Sequence, residues 1–212
     1  MIDLHTHSIF SDGELVPAEL VRRAEFVGIK AIGITDHGDS SNIDFIVPRI
    51  ARMAKELNDV LGNIKIIPGI EITHIPPRLI AYNANRARRL GAKIIIVHGE
   101  TIVEPVAPGT NNAALSADID ILAHPGLITE DEALKAKENN ILLEISARKG
   151  HSLTNGHVAR IAQRTGAQLV INTDAHGPGD LIDAEMAKKI VQGAGLPGEA
   201  FEIMQKNGSR FI

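Results

Sequence analysis

Short runs of β-branched apolar residues recur along the whole chain, separated by longer amphipathic stretches, and almost every run ends on an imidazole or a carboxylate. Such alternation is the pattern of βα units around a parallel sheet. A strand buried on both faces reads as a continuous apolar run, and its crossover helix as a stripe of period 3.6. The runs predicted as strands span 2–7, 31–35, 64–72, 93–98, 119–123, 141–145 and 168–173. Helices are expected over about 17–27, 46–61, 77–90, 113–117 and 130–139, over a segment that follows 147–156 and stops near Thr165, and over 184–193 and 198–207. Pro17 suits a first helical turn, and Gly28, Gly62 and Gly91 suit helix ends.

Eight such units usually need about 250 residues, whereas this chain has 212. The fold expected is therefore α/β: one domain, 1–212, forming a distorted seven-stranded (β/α)7 TIM-like barrel. An open doubly wound sheet is the alternative. Closure is favoured because the polar run ends come from strands spread over the whole sequence, and a barrel gathers the carboxyl ends of all its strands around one point.

His5 and His7 close the first run, with Asp12 just beyond; Asp36 and His37 follow the second, and Glu71 lies near the end of the third. His98 closes the fourth, His124 follows the fifth, and Asp174 with His176 follow the seventh. Residues two apart on a strand point to the same side. His5 and His7 are thus expected to face one ion from the interior, with Leu4 packed outward against helices and Asp3 orienting an imidazole from behind. Barrel interiors are ordinarily filled by Val, Ile and Leu, and burying this many titratable groups without a cation would be costly. Glu71, alone in Pro-Gly-Ile-Glu-Ile, reads as a carboxylate that bridges metals. With no cysteine in the chain, thiolate ligation and disulfides are excluded, so any metal is held by imidazole and carboxylate.

The formal charge of -4 and the pI near 6.1 provide no basic field, which disfavours a nucleic-acid partner. A 44% hydrophobic content suits one well-buried core. No run approaches the ~18 uninterrupted apolar residues of a membrane span, and no basic segment and long apolar run precede His5. A soluble, cytoplasmic protein without a signal peptide is expected.

Four segments, His5-Thr6-His7, Thr35-Asp36-His37, His124-Pro125 and Asp174-Ala175-His176, agree in type and order with the four motifs of the PHP family, the polymerase-and-histidinol-phosphatase superfamily, which the chain resembles over essentially its whole length. The resemblance implies a metal site at the C-terminal face of the barrel with three divalent ions, Zn, Mn or Fe. It implies that His5, His7, Glu71 and Asp174 hold one ion, that the second shares Glu71 and adds His98 and His124, and that the third takes Asp12, His37 and His176. Asp12 stands where the family has histidine or aspartate, and an oxygen donor makes that position harder and more tolerant of manganese or iron.

The activity implied is that of a metal-dependent phosphatase, histidinol-phosphatase-like, which hydrolyses a small phosphomonoester by metal-activated hydroxide without a covalent intermediate. Its partner would be a small phosphorylated metabolite, and phosphate or sulfate is expected to occupy the site. The compactness of the chain leaves little room for a pocket dedicated to histidinol. Two alternatives are a 3′–5′ exonuclease or polymerase-associated nuclease module and a non-catalytic metal-binding module.

Beyond the ligands, Arg148 follows the sixth strand and could hold a phosphate oxygen. Glu144 lies at the end of that strand, and His176 and Asp12 are the candidate proton donors to the leaving group. His151 and His157 flank 152–156, where backbone amides near Gly156 could approach an anion. His74 reads as a loop residue, and the loop 99–105 as part of the catalytic rim that shapes the substrate.

Overall fold

The computed structural model describes residues 1–212. Its strands are β1 (Ile2–Asp3), β2 (Ala31–Ile34), β3 (His37–Gly38), β4 (Lys65–Ile72), β5 (Ile94–His98), β6 (Ile121–Ala123), β7 (Leu142–Ser146) and β8 (Leu169–Asn172), in the spatial order β1-β2-β4-β5-β6-β7-β8, with β3 pairing β4. All pairings are parallel. β3 takes up the pairing with β4 where β2 leaves it, so the two are one strand interrupted at Thr35-Asp36, and the barrel has seven strands. The chain also joins its own ends: Thr6 bridges Ala175, the Asp174 N–H donates to the His5 carbonyl at 2.9 Å, and the His7 N–H donates to the Ala175 carbonyl at 2.8 Å. That contact sets aside the open sheet.

Helices α1 (Pro17–Phe26), α2 (Ile43–Asn58), α3 (Ile80–Leu90), α4 (Thr110–Ala114), α5 (Glu130–Glu138), α6 (Asn155–Thr165), α7 (Ala184–Gly193) and α8 (Ala200–Gly208) surround the strands, and none is long and apolar enough to cross a membrane. α2 begins at Ile43 rather than near 46 and so carries Pro48 inside it. Its buried Ile43, Ile46, Val47, Ile50 and Ala54 form one continuous stripe, and burying the extra turn outweighs the single backbone bond that proline cannot make. The short helix expected over 113–117 starts instead at Thr110, after Gly109 in a left-handed conformation (φ 88°). The Asn111 side chain there accepts from the Glu100 N–H and donates to the Pro125 carbonyl, both at 2.9 Å, pinning the helix to two rim loops.

Apolar packing falls into two separate bodies. The larger lies between strands and helices; the smaller fills the lower barrel with Leu4, Ala31, Ile67, Ile94, Ile96, Ile121, Ala123, Leu142 and Val170, closed beneath by Ile2 and Phe211. Leu4 therefore points inward, against the expectation that it packs on helices. The first strand loses regular alternation after Asp3: the Leu4 N–H donates to the Asn172 side chain at 2.9 Å, and both Leu4 and His5 end inside.

This distortion needs Gly33 on the neighbouring strand, where a β-carbon would stand 2.3 Å from the Leu4 carbonyl oxygen. Gly33→Ala must push the first strand off the barrel, and is expected to lower stability by about 1–3 kcal/mol. A urea midpoint unchanged from wild type would refute it.

Candidate metal centre

Above the apolar plug the strand ends turn polar, and the expected donors arrive at the ends of six of the seven strands. His5 and His7 come from the distorted first strand, His37 from β3, Glu71 from β4 in register with His37, and His98 from the last position of β5. Asp12 rides on a loop held by Asp36, which accepts from the Ser8 N–H (2.7 Å) and from the Ser8 and Ser11 hydroxyls (both 2.8 Å). Asp36 thus positions that loop instead of facing the centre. His124 and Asp174 follow β6 and β8 with positive φ, 26° and 53°. Non-glycine residues in this region cost about 1–3 kcal/mol each and concentrate at functional sites.

The side chains converge in three groups. His5 Nε2 lies 3.4 Å from Glu71 Oε1 and 3.7 Å from Asp174 Oδ1, while His7 Nε2 lies 3.7 Å from Glu71 Oε2 and 3.2 Å from Asp174 Oδ1. His124 Nε2 lies 3.6 Å from Glu71 Oε1, and His98, His124 and His151 bring donor atoms within 4.8 Å of one another. Asp12 Oδ1 lies 3.5 Å from His37 Nε2 and 3.2 Å from His176 Nε2.

These residues fit divalent ions on two counts. Ligands bound to zinc at about 2.0–2.1 Å in a tetrahedron stand roughly 3.3 Å apart, which matches the donor separations. In addition His5 Nε2, both His7 ring nitrogens, Glu71 Oε1 and His124 Nδ1 are buried with no hydrogen-bond partner. Orphaned polar atoms cost about 1–3 kcal/mol each, and bound cations would satisfy His5 Nε2, His7 Nε2 and Glu71 Oε1, the ones that face the other donors.

Partners behind the imidazoles fix their orientation. Glu144, fully buried, contacts His5 Nδ1 at 2.8 Å through an oxygen that also accepts from Asn172, and its other oxygen accepts the His124 N–H at 3.1 Å. Asp3 was expected in this role. Because the first strand is irregular, Asp3 instead turns outward and accepts from the Thr173 N–H at 3.0 Å and from its hydroxyl. His98 Nδ1 contacts the Gly99 carbonyl at 3.1 Å, and His176 Nδ1 the Asp174 carbonyl at 3.0 Å, which leaves both Nε2 atoms for the cavity.

Burial and neighbouring charge prepare the donors. Burial and the adjacent His37 and His5 rings hold His7 well below the ordinary histidine range, so it stays neutral with a free lone pair. Burial alone would raise Glu71, but His5 and His37 beside it outweigh that and hold its carboxyl well below the usual range. Burial raises Asp174. His151 is pushed down to about 3, by burial first and then by His124.

The resulting cavity, about 260 Å³, has no apolar lining; Asp12, His37, His98, His124, Asp174 and His176 face it together with Arg148. Arg148 sits on the rim, donating to the Asp174 carbonyl at 3.2 Å, and also borders a second chamber of about 580 Å³. His157 lies away from the centre, where its Nε2 meets the Ile128 carbonyl at 2.7 Å, so no anion site forms around it. His151 does reach the centre. His74, read as a loop residue, meets Glu104 at 3.1 Å on the cavity wall. Glu104 was missed as a participant: nothing in its sequence surroundings marks it apart from membership of the rim loop.

The PHP domain model matches residues 3–165. Among curated proteins, an uncharacterised protein of Methanocaldococcus jannaschii is 52% identical over 94% of this chain and 92% of its own length. A probable phosphatase of Clostridium botulinum is 26% identical over 94% of the chain and 88% of its own length. The DNA polymerase/3′-5′ exonuclease PolX of Bacillus subtilis is 28% identical over 82% of the chain, which spans only 34% of that larger protein. Among solved structures, histidinol phosphate phosphatase from Lactococcus lactis, complexed with zinc, L-histidinol and phosphate, superposes with TM-score 0.61 at 19% identity, covering 92% of this chain and 94% of that one. A chain of archaeal ribonuclease P superposes with TM-score 0.72 at 16% identity, covering 98% and 89%. These two likenesses concern the barrel. With the domain model matching well over half of its length, the chain belongs to the PHP domain family.

Proposed function

We propose that the protein is a metal-dependent phosphatase acting on a small phosphomonoester, with three divalent ions at the donors described above. The observation that carries this reading is the convergence of His5, His7, Glu71, His124 and Asp174 with buried donor atoms left unpaired. Divalent ions in such a set polarise phosphoryl oxygens and acidify a water molecule. The division of ligands follows the three groups: His5, His7, Glu71 and Asp174; then Glu71, His98 and His124; then Asp12, His37 and His176.

The chain's own groups supply the rest. Arg148, the only Lys or Arg lining the cavity, binds a phosphoryl oxygen by charge-assisted hydrogen bonds. Glu144 keeps the His5 ring turned so that its Nε2 faces inward. His176, with Nδ1 committed to a backbone carbonyl, presents Nε2 beside Asp12 as a donor to the third ion. The second chamber, which shares Asp12, Arg148 and His176 with the first, receives the leaving group.

The names of the Clostridium botulinum relative and of the Lactococcus lactis structure support phosphatase chemistry. Manganese- or zinc-loaded protein is expected to hydrolyse a generic aryl phosphate and to stop when metal is chelated. The PolX relative makes an oligonucleotide the informative control: degradation from its 3′ end, with the aryl phosphate untouched, would replace the phosphatase by an exonuclease.

A further inference from the structure

Glu104 and His151 lie outside the division of ligands proposed above, yet both enter the cavity beside its second group. His151 is buried, its ring stacked on His124 with centroids 4.0 Å apart. Its Nδ1 is fixed by the Thr101 hydroxyl at 2.8 Å, which aims Nε2 inward. Glu104 descends from the loop 99–109 and lies 3.0 Å from His98 Nε2 through Oε2 and 3.5 Å from His151 Nε2 through Oε1. The two separations bracket the roughly 3.3 Å expected between ligands sharing one zinc ion. The donors of His98, His124 and His151 all fall within 4.8 Å of one another, and His124 Nδ1 is buried without a partner.

We propose that His151 and Glu104 are two further ligands of the ion held by His98 and His124. His151 is a fixed donor on the sixth βα connection; Glu104 is a donor brought by the loop after β5. The proposal rests on the metal-centre reading above and changes its balance. With Glu71, the second position has five protein donors rather than three, so it is the most enclosed of the three and the slowest to release its ion. It also makes the loop 99–109 a part of the centre, ordered by the same cation that it covers.

Zinc-loaded wild type, His151→Ala and Glu104→Gln proteins would be titrated with a competing chelator while retained zinc is counted by elemental analysis. The expected result is three equivalents on the wild type, with one equivalent at least tenfold more easily removed from each variant and the other two unchanged. Glu104 is on an exposed loop, so Glu104→Gln decides the matter if His151→Ala does not fold. Retention curves identical to wild type overturn the proposal and leave the metal centre standing. A wild type that holds no zinc overturns the metal centre, and the proposal with it.

Discussion

Glu71→Gln is expected to cut phosphomonoester turnover by on the order of 10³-fold or more, the scale seen when a group acting at the reacting centre is removed. The substitution keeps the shape of the side chain and removes its charge. That charge stands among four imidazoles: His5 at 3.4 Å, His124 at 3.6 Å, His7 at 3.7 Å and His37 at 2.6 Å. Glu71 and Asp174 are the two carboxylates around which these imidazoles gather. An amide is a poor ligand for two cations at once and directs an N–H at one of them, so retained zinc should fall by more than one equivalent. The barrel itself should persist, because Glu71 lies above the apolar plug and takes no part in its packing. A Glu71→Gln protein with wild-type rate and metal content would remove the bridging role altogether.

Removal of metal is the second large effect. Ions that bind only the folded chain stabilise it by RT ln(1 + [L]/Kd), about 4 kcal/mol for each site at a free concentration 1,000 times Kd. For a chain of this size that corresponds to a fall in Tm on the order of 10 °C for each such ion removed. The unpaired buried donors of His5, His7 and Glu71 are the structural reason for expecting a small Kd here, since binding relieves them. Differential scanning calorimetry before and after exhaustive chelation measures the effect, and readdition of zinc or manganese should restore the midpoint. An unmoved midpoint would mean that the donors satisfy one another, and would argue against resident ions.

Much of this centre was legible in the chain because the relevant signal is local. A βα unit writes its strand as an apolar run, and the next polar residue marks the carboxyl end, so His98, His124 and Asp174 could be placed from the letters alone. What the letters concealed depended on departures from regular backbone. Strand parity put Leu4 outside and Asp3 behind an imidazole; the close approach at Gly33 distorts the first strand and reverses the first assignment while removing the second. Glu144 follows strict parity with Leu142, yet its partnership with His5 links the sixth strand to the first across the barrel, a contact no spacing rule reports. The participation of Glu104 and His151 depends on how two rim loops fold, and loops carry no periodicity to read.

The plug beneath the donors has a consequence for traffic. Leu4, Ile67, Ile94, Ile96, Ile121, Leu142 and Val170 are each at most 3% exposed, and Ile2 and Phe211 close the floor below them. The molecule is a cup, not a pipe. Whatever reaches the donors arrives from the side of the strands' carboxyl ends, where Asp12, Arg148 and His176 border both chambers, and whatever is made there departs on that same side. On the proposed phosphatase reading, product and incoming ester then compete on one side of the barrel, so added inorganic phosphate is expected to slow turnover as a competitor, and less so in Arg148→Ala.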